Sequence, residues 1–166
     1  MDTPAWKMTP LGGMTPGSCF LYMDESGKHV ALALQPEGKS WVVLHSDPPG
    51  TAPIGLLMSV RHDYPPSWGL ELEGLEADIP ELSSICPNAR SAEDLQLWKP
   101  GALVIAEVDY YVLTINKQDE ILAAGLRDGK FDTISPDKQM AVVSCWRLIH
   151  RIGKDIREIC RIDVGA

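Results

Sequence analysis

The histidines, cysteines and turn-borne serines and lysines are the residues with chemistry to offer, and their spacing decides what each can do. Metal binding would draw on His29, His45, His62, His150 and the cysteines. His62 and Asp63 are adjacent, so on an extended chain they point to opposite faces. His45 and Asp47 can share a face, but two ligands do not close a site. Cys19, Cys86, Cys145 and Cys160 are widely spaced, with no CxxC pair to bring two zinc ligands from one turn. They read as buried free thiols of a reducing compartment. No metal and no other cofactor is expected.

Phosphate binding and nucleophilic catalysis fare no better. A phosphate-cradling loop needs spaced glycines and a lysine followed by a hydroxyl. Here Gly129-Lys130 is followed by Phe131, and Ala124 stands where the leading glycine belongs. There is no GxSxG elbow and no glycine-flanked cysteine. A serine–lysine pair can be assembled from Ser91 with Lys117 or Lys130. Ser91-Ala92-Glu93-Asp94 is better explained as a helix start, with a hydroxyl cap and acids over the first-turn amides. Glu71 and Glu73 share a face only if extended, and nothing raises one pKa selectively for glycosidic work. The chain is therefore expected not to be an enzyme.

Recognition chemistry is better represented. Arg147, Arg151, Lys154, Arg157 and Arg161 step by three or four, which on a continuous helix makes one basic stripe. Such a stripe either docks an acidic partner or is a solvated face paired with the chain's own acids. Tyr64, Pro65, Pro66 and Trp68 lie in one stiff loop, and aromatic anchors on a stiff loop bury area at small entropic cost. Trp6, Met8, Leu11 and Met14 occupy a segment broken by Pro4, Pro10 and Pro16 and loosened by Gly12, Gly13 and Gly17. A solvated tail gains nothing from such residues, so residues 1–18 are expected to form an extended arm lying on an apolar surface, their own domain's or a neighbour's. The candidate partner-binding residues are thus Trp6, Tyr64, Trp68, Arg147, Arg151, Lys154, Arg157 and Arg161.

Composition bounds the partners. The 166 residues are 45% hydrophobic and 23% charged, an ordinary globular mixture, and the formal net charge is −8. That charge disfavours nucleic acid and anionic membranes as partners of the whole molecule. No apolar run approaches the roughly 18–20 residues needed to cross a bilayer. The start Met1-Asp2-Thr3-Pro4-Ala5-Trp6 lacks the basic and apolar regions of a secretory signal, so the chain is expected in the cytoplasm where it is made. Acids crowd the middle (Glu71, Glu73, Glu76, Asp78, Glu81) and bases the C-terminal part, a split that serves either internal pairing or two partner surfaces.

The elements that must carry these residues read as β. Cys19–Met23, His29–Leu34, Ser40–His45, Ile54–Val60, Ala102–Val108, Tyr110–Ile115 and Glu120–Leu126 are rich in branched and aromatic residues and are separated by turn signals. Residues 69–90 are illegible: Leu70, Leu72, Leu75, Ile79 and Leu82 fit a helical stripe, but Gly74 and Pro80 interrupt it. Ser135-Pro136-Asp137 signals a helix start, and Val142, Cys145, Trp146, Ile149 and Ile152 follow at three- and four-residue spacing. The expected fold is mainly β (α+β): one antiparallel sheet or barrel of about six to eight strands in residues 19–166, with one C-terminal helix from 136.

Without a catalytic motif, this pattern points to a structural subunit of a larger protein assembly, of which a bacteriophage virion component (decoration, neck or tail protein) is an example. The alternative is an acidic protein that neutralises a macromolecular partner, in the manner of an immunity or anti-defence protein. A third reading, an enzyme built from scattered residues, requires a pocket holding mutually hydrogen-bonded titratable groups.

Overall fold

Over His29–Leu34 large aliphatic residues alternate with small or polar ones, and an extended backbone turns that alternation into two distinct faces. The computed structural model describes residues 6–36, 38–59, 68–87, 99–132 and 140–165. Among them the chain forms fifteen strands, numbered here in chain order, in three sheets.

The first sheet has the order β1 (Trp6–Pro10), β6 (Trp68–Leu72), β2 (Cys19–Asp24), β3 (Gly27–Leu34), β4 (Ser40–Asp47) and β5 (Leu57–Ser59). The second runs β12 (Phe131–Asp132), β11 (Ile121–Gly125), β10 (Asp109–Ile115), β9 (Leu103–Ala106), β13 (Met140–Val143) and β8 (Ile85–Cys86). The third has three strands: β15 (Asp155–Asp163), β14 (Cys145–Ile152) and β7 (Leu75–Asp78). All the ladders are antiparallel, and one parallel bridge, Leu56 to Ile115, ties the first sheet to the second. The fold class is thus mainly antiparallel β, as the sequence predicts.

One apolar core joins the sheets. It takes Leu32, Leu34, Val42 and Leu44 from the first, Leu103, Val112, Ala124 and Val143 from the second, and Trp146, Leu148, Cys160 and Ile162 from the third. The opposite face of the first sheet carries a separate aromatic cluster of Phe20, Tyr22 and Trp41, capped by Met14 with Leu11 beside it. Gly129 shows how closely the layers meet. Its φ is +67°, and a Cβ there would lie 2.5 Å from the Ala33 carbonyl oxygen and 2.9 Å from the Gly17 nitrogen. Only glycine fits that approach.

The expected C-terminal helix is not formed. Val142 lies in β13, and Cys145, Trp146, Ile149 and Ile152 lie in β14. Both faces of β14 are covered over much of its length, so buried residues fall on both parities: Trp146 and Leu148 enter the core while Cys145 and Ile149 are buried on the other side. Strands buried on both faces lose simple alternation and imitate a helical stripe. Ser135-Pro136-Asp137 and the helix expected from Ser91 lie outside the described residues, and among the described residues no α-helix is present. The illegible stretch resolves, where described, into β6, β7, a single 3₁₀ turn at Leu82–Ser84 and β8.

Candidate interaction surface

The arm proves to be divided in its loyalties. Trp6–Pro10 form β1, the outer strand of the first sheet, paired with β6 from Trp6 opposite Leu72 to Pro10 opposite Trp68. Leu11 and Met14 then fold over the Phe20, Tyr22 and Trp41 cluster, with Met14 fully buried. A carboxylate holds this crossing in place. Glu71, in β6 and only 5% exposed, accepts from the Thr15 amide N–H at 2.7 Å, the Ser18 hydroxyl at 2.7 Å and the Thr9 hydroxyl at 3.0 Å. Burial pushes its pKa up, but these donors outweigh burial and hold it below the ordinary glutamate value.

Trp6 and Met8 gain nothing from this arrangement. They project on the other face of β1 and remain 45% and 56% exposed. In register with them on β6 are Leu72 and Leu70, and Trp68, opposite Pro10, is 56% exposed. Leu70 in turn faces Leu21 of β2, and one same-face position further along that strand Met23 is 65% exposed. Trp6, Met8, Trp68 and Met23 thus form one apolar surface on three adjacent strands, continuous with the core-facing side of the sheet yet beyond the part that the other sheets cover. A half-exposed tryptophan leaves on the order of 100 Å² uncovered, so the four side chains together present roughly 400 Å², at the level that marks functional patches on monomers.

The basic residues are arranged differently. Arg147 and Arg161 stand directly opposite each other on β14 and β15, and Asp78 of β7 faces Arg147 from the other side. The Arg147 Nε–H donates to Asp78 Oδ2 at 2.6 Å, and Glu158 Oε1 accepts from Arg147 at 3.4 Å and from Arg161 at 3.1 Å. Arg151 reaches Glu76 at 3.4 Å. Hydrogen bonding to Asp78 raises the Arg147 pKa further, and hydrogen bonding from Arg161 holds Glu158 below its ordinary value. Three arginines and three carboxylates therefore neutralise each other on one face. Lys154 sits in the turn after β14, and Arg157 is carried to the opposite face by a bulge that shifts the β14–β15 register after Leu148. The five bases make no continuous stripe.

Of the predicted recognition residues, Trp6 and Trp68 are brought onto one surface, the arginines belong to a different sheet, and Tyr64 lies outside the described residues. Met23 was not singled out in the sequence; its place two residues beyond Leu21 on a strand is the signal that finds it.

A second polar group was also hidden. His29, 1% exposed, shares a 2.8 Å hydrogen bond between Nδ1 and the Ser46 hydroxyl, while Nε2 lies 2.9 Å from Asp24 Oδ1 and 3.0 Å from Ser26 Oγ. This has the composition of a hydrolytic triad without its geometry. A triad needs serine and carboxylate on opposite ring nitrogens and an accessible nucleophile. Here the accessible Ser26 and Asp24 share Nε2, and Ser46 on Nδ1 is buried. The group braces the β2–β3 turn against β4.

Among the described residues, clefts of about 290 and 250 Å³ lie beside Cys86 and Ser144 and between Gly17 and Leu75, and neither brings together two hydrogen-bonded titratable side chains. Among the described residues no group of three His, Cys, Asp or Glu is placed to hold a metal, and no helix is long and apolar enough to cross a membrane. Compared with protein-family models, curated proteins and solved structures, the chain finds no match.

Proposed function

We propose that this chain is a non-enzymatic interaction subunit of a larger protein assembly, and that the outer face of β1, β6 and β2 is its docking surface. One observation carries the reading. Four large apolar side chains, Trp6, Met8, Trp68 and Met23, lie exposed on one face of the three strands at the open end of a sheet. Tryptophan and methionine are enriched at protein interfaces, and a patch of this size is rarely left to solvent without a use. A particle of repeated subunits, such as a virion, is one setting in which such an edge is used.

The alternative of an acidic neutralising protein draws no comparable support. It relies on the carboxylates between Glu71 and Glu81 being free for a partner. Glu71 is buried on its own donors, and Glu76 and Asp78 are engaged by Arg151 and Arg147, which leaves Glu73 and Glu81 as the exposed acids of the stretch.

The reading is tested by thermal melting of a Trp6→Ser/Trp68→Ser double variant. Docking side chains contribute little to their own domain, so at a concentration where the parent is a single chain the melting temperature is expected to stay within about 2 °C of the parent's. A fall of roughly 10 °C or more would place both residues in the chain's own core and end the docking reading.

A further inference from the structure

We infer that the occupant of this surface is a second copy of the same chain, added edge to edge by antiparallel pairing of β1 with its two-fold mate. The inference rests on the docking reading above and goes further by naming the partner.

The first argument is the state of the edges. Proteins protect exposed sheet edges with charges, short strands or prolines. The β15 edge carries Asp155, Arg157, Glu158, Arg161 and Asp163. β1 carries only Lys7 and, at its end, Pro10, and Lys7 lies on the face opposite Trp6 and Met8. Its apolar face is therefore uncharged at an edge that is open among the described strands.

Register supplies the second argument. One antiparallel alignment pairs all five residues of β1 with those of its mate: Met8 faces Met8, Lys7 faces Thr9, and Trp6 faces Pro10. No like charges meet. Pro10 already lies opposite Trp68 in its own sheet, so the pairing builds an unbroken row of Trp68, Pro10 and the mate's Trp6, repeated by the two-fold axis. The row between them is Leu70, Met8, Met8 and Leu70. A two-fold interface of this kind is self-complementary and closes on itself.

Area is the third. Pairing in the plane of the sheet covers Trp6 and Met8 and brings the mate's Trp6 beside Pro10 and Trp68, while Met23, two strands in, stays outside the contact; with main-chain pairing along β1 this is smaller than the ~800 Å² per partner of a standard interface, which fits a concentration-dependent monomer–dimer equilibrium.

The test uses the full chain and two variants at the residue that the alignment sets against itself. Sedimentation of the parent over a wide concentration range is expected to show a monomer–dimer equilibrium. Met8→Lys and Met8→Glu, each placing like charges opposite across the axis, are expected to weaken it at least about tenfold. An equimolar mixture of the two is expected to restore the dimer as a heterodimer, because residue 8 then faces an opposite charge. A parent that stays monomeric throughout overturns the inference, as does a dimer indifferent to Met8→Lys or variants that do not complement each other. These failures leave the docking reading standing so long as the Trp6→Ser/Trp68→Ser variant melts like the parent; a collapse of that variant's stability is the separate sign that the reading itself has failed.

Discussion

The Arg147 guanidinium and the Asp78 carboxylate lie directly across the β14–β7 ladder, with Nε–H donating to Oδ2 at 2.6 Å. This contact shows why a basic run in the sequence is not a basic surface in the fold. Arg147, Arg151 and Arg161 are spent on Asp78, Glu76 and Glu158, and an anionic partner would have to displace carboxylates already in place. The parent protein is accordingly expected to pass through a heparin column unretained at low salt. Asp78→Asn/Glu158→Gln, which frees two arginines, is expected to be retarded. Tight retention of the parent would show that the cluster opens to anions.

Glu71 gives a pH dependence with a definite sign. Its folded-state pKa is lowered, so its contribution to stability is present in full above the ordinary glutamate range and is lost as pH falls through the folded value. The melting temperature of the parent is expected to drop in that acid window more steeply than that of Glu71→Gln. At neutral pH Glu71→Ala strands three donors and is expected to cost about 3 kcal/mol, or roughly 6–12 °C in a domain of this size. A neutral Glu71→Ala variant with unchanged melting would show that the Thr9–Ser18 crossing needs no anchor.

Trp146 tests the assignment of the C-terminal region. It is fully buried, packs in the core shared by the three sheets, and donates from Nε1 to the Gly101 carbonyl at 2.9 Å. Trp146→Ala is expected to destabilise the fold by about 3–5 kcal/mol in chemical denaturation. Trp146→Phe keeps most of the packing but leaves the Gly101 carbonyl without this donor, and is expected to cost about 1–2 kcal/mol of hydrogen bonding plus a smaller packing loss. A Trp146→Phe variant as stable as the parent would argue against the Nε1 contact.

The strands between Cys19 and Asp47 and between Leu103 and Gly125 were legible because they are short runs of branched and aromatic residues bounded by turns that carry glycine, proline or aspartate. The C-terminal pair was not, for two physical reasons. Burial of Trp146 and Leu148 on one side and Cys145 and Ile149 on the other erased the two-residue period. Arginines four apart share a face on a strand as well as on a helix, so Arg147 and Arg151 could not discriminate. The bulge that moves Arg157 off the face of Arg161 has no signature in the letters. Trp6 and Trp68 were both recognisable as anchors by type, but their union on one surface depends on β1 pairing with β6 across some sixty residues of chain, which only the ladder reveals. Glu71 illustrates the same limit: an acid in an acidic stretch became the buried receptor of the arm.

The central claim is that Trp6, Met8, Trp68 and Met23 are exposed in order to be covered by another chain. Deleting residues 1–17 would not test it, because Met14 and the Glu71 contacts with Thr9 and Thr15 would be lost as well. The most direct measurement is the solution mass of the full chain at rising concentration beside that of Trp6→Ser/Trp68→Ser. The expected result is a doubling of mass in the parent and a single-chain mass in a variant that melts at the temperature of the dilute, single-chain parent. A parent that never exceeds the single-chain mass, together with a variant that has lost stability, would contradict the account: the tryptophans would then serve the domain's own fold.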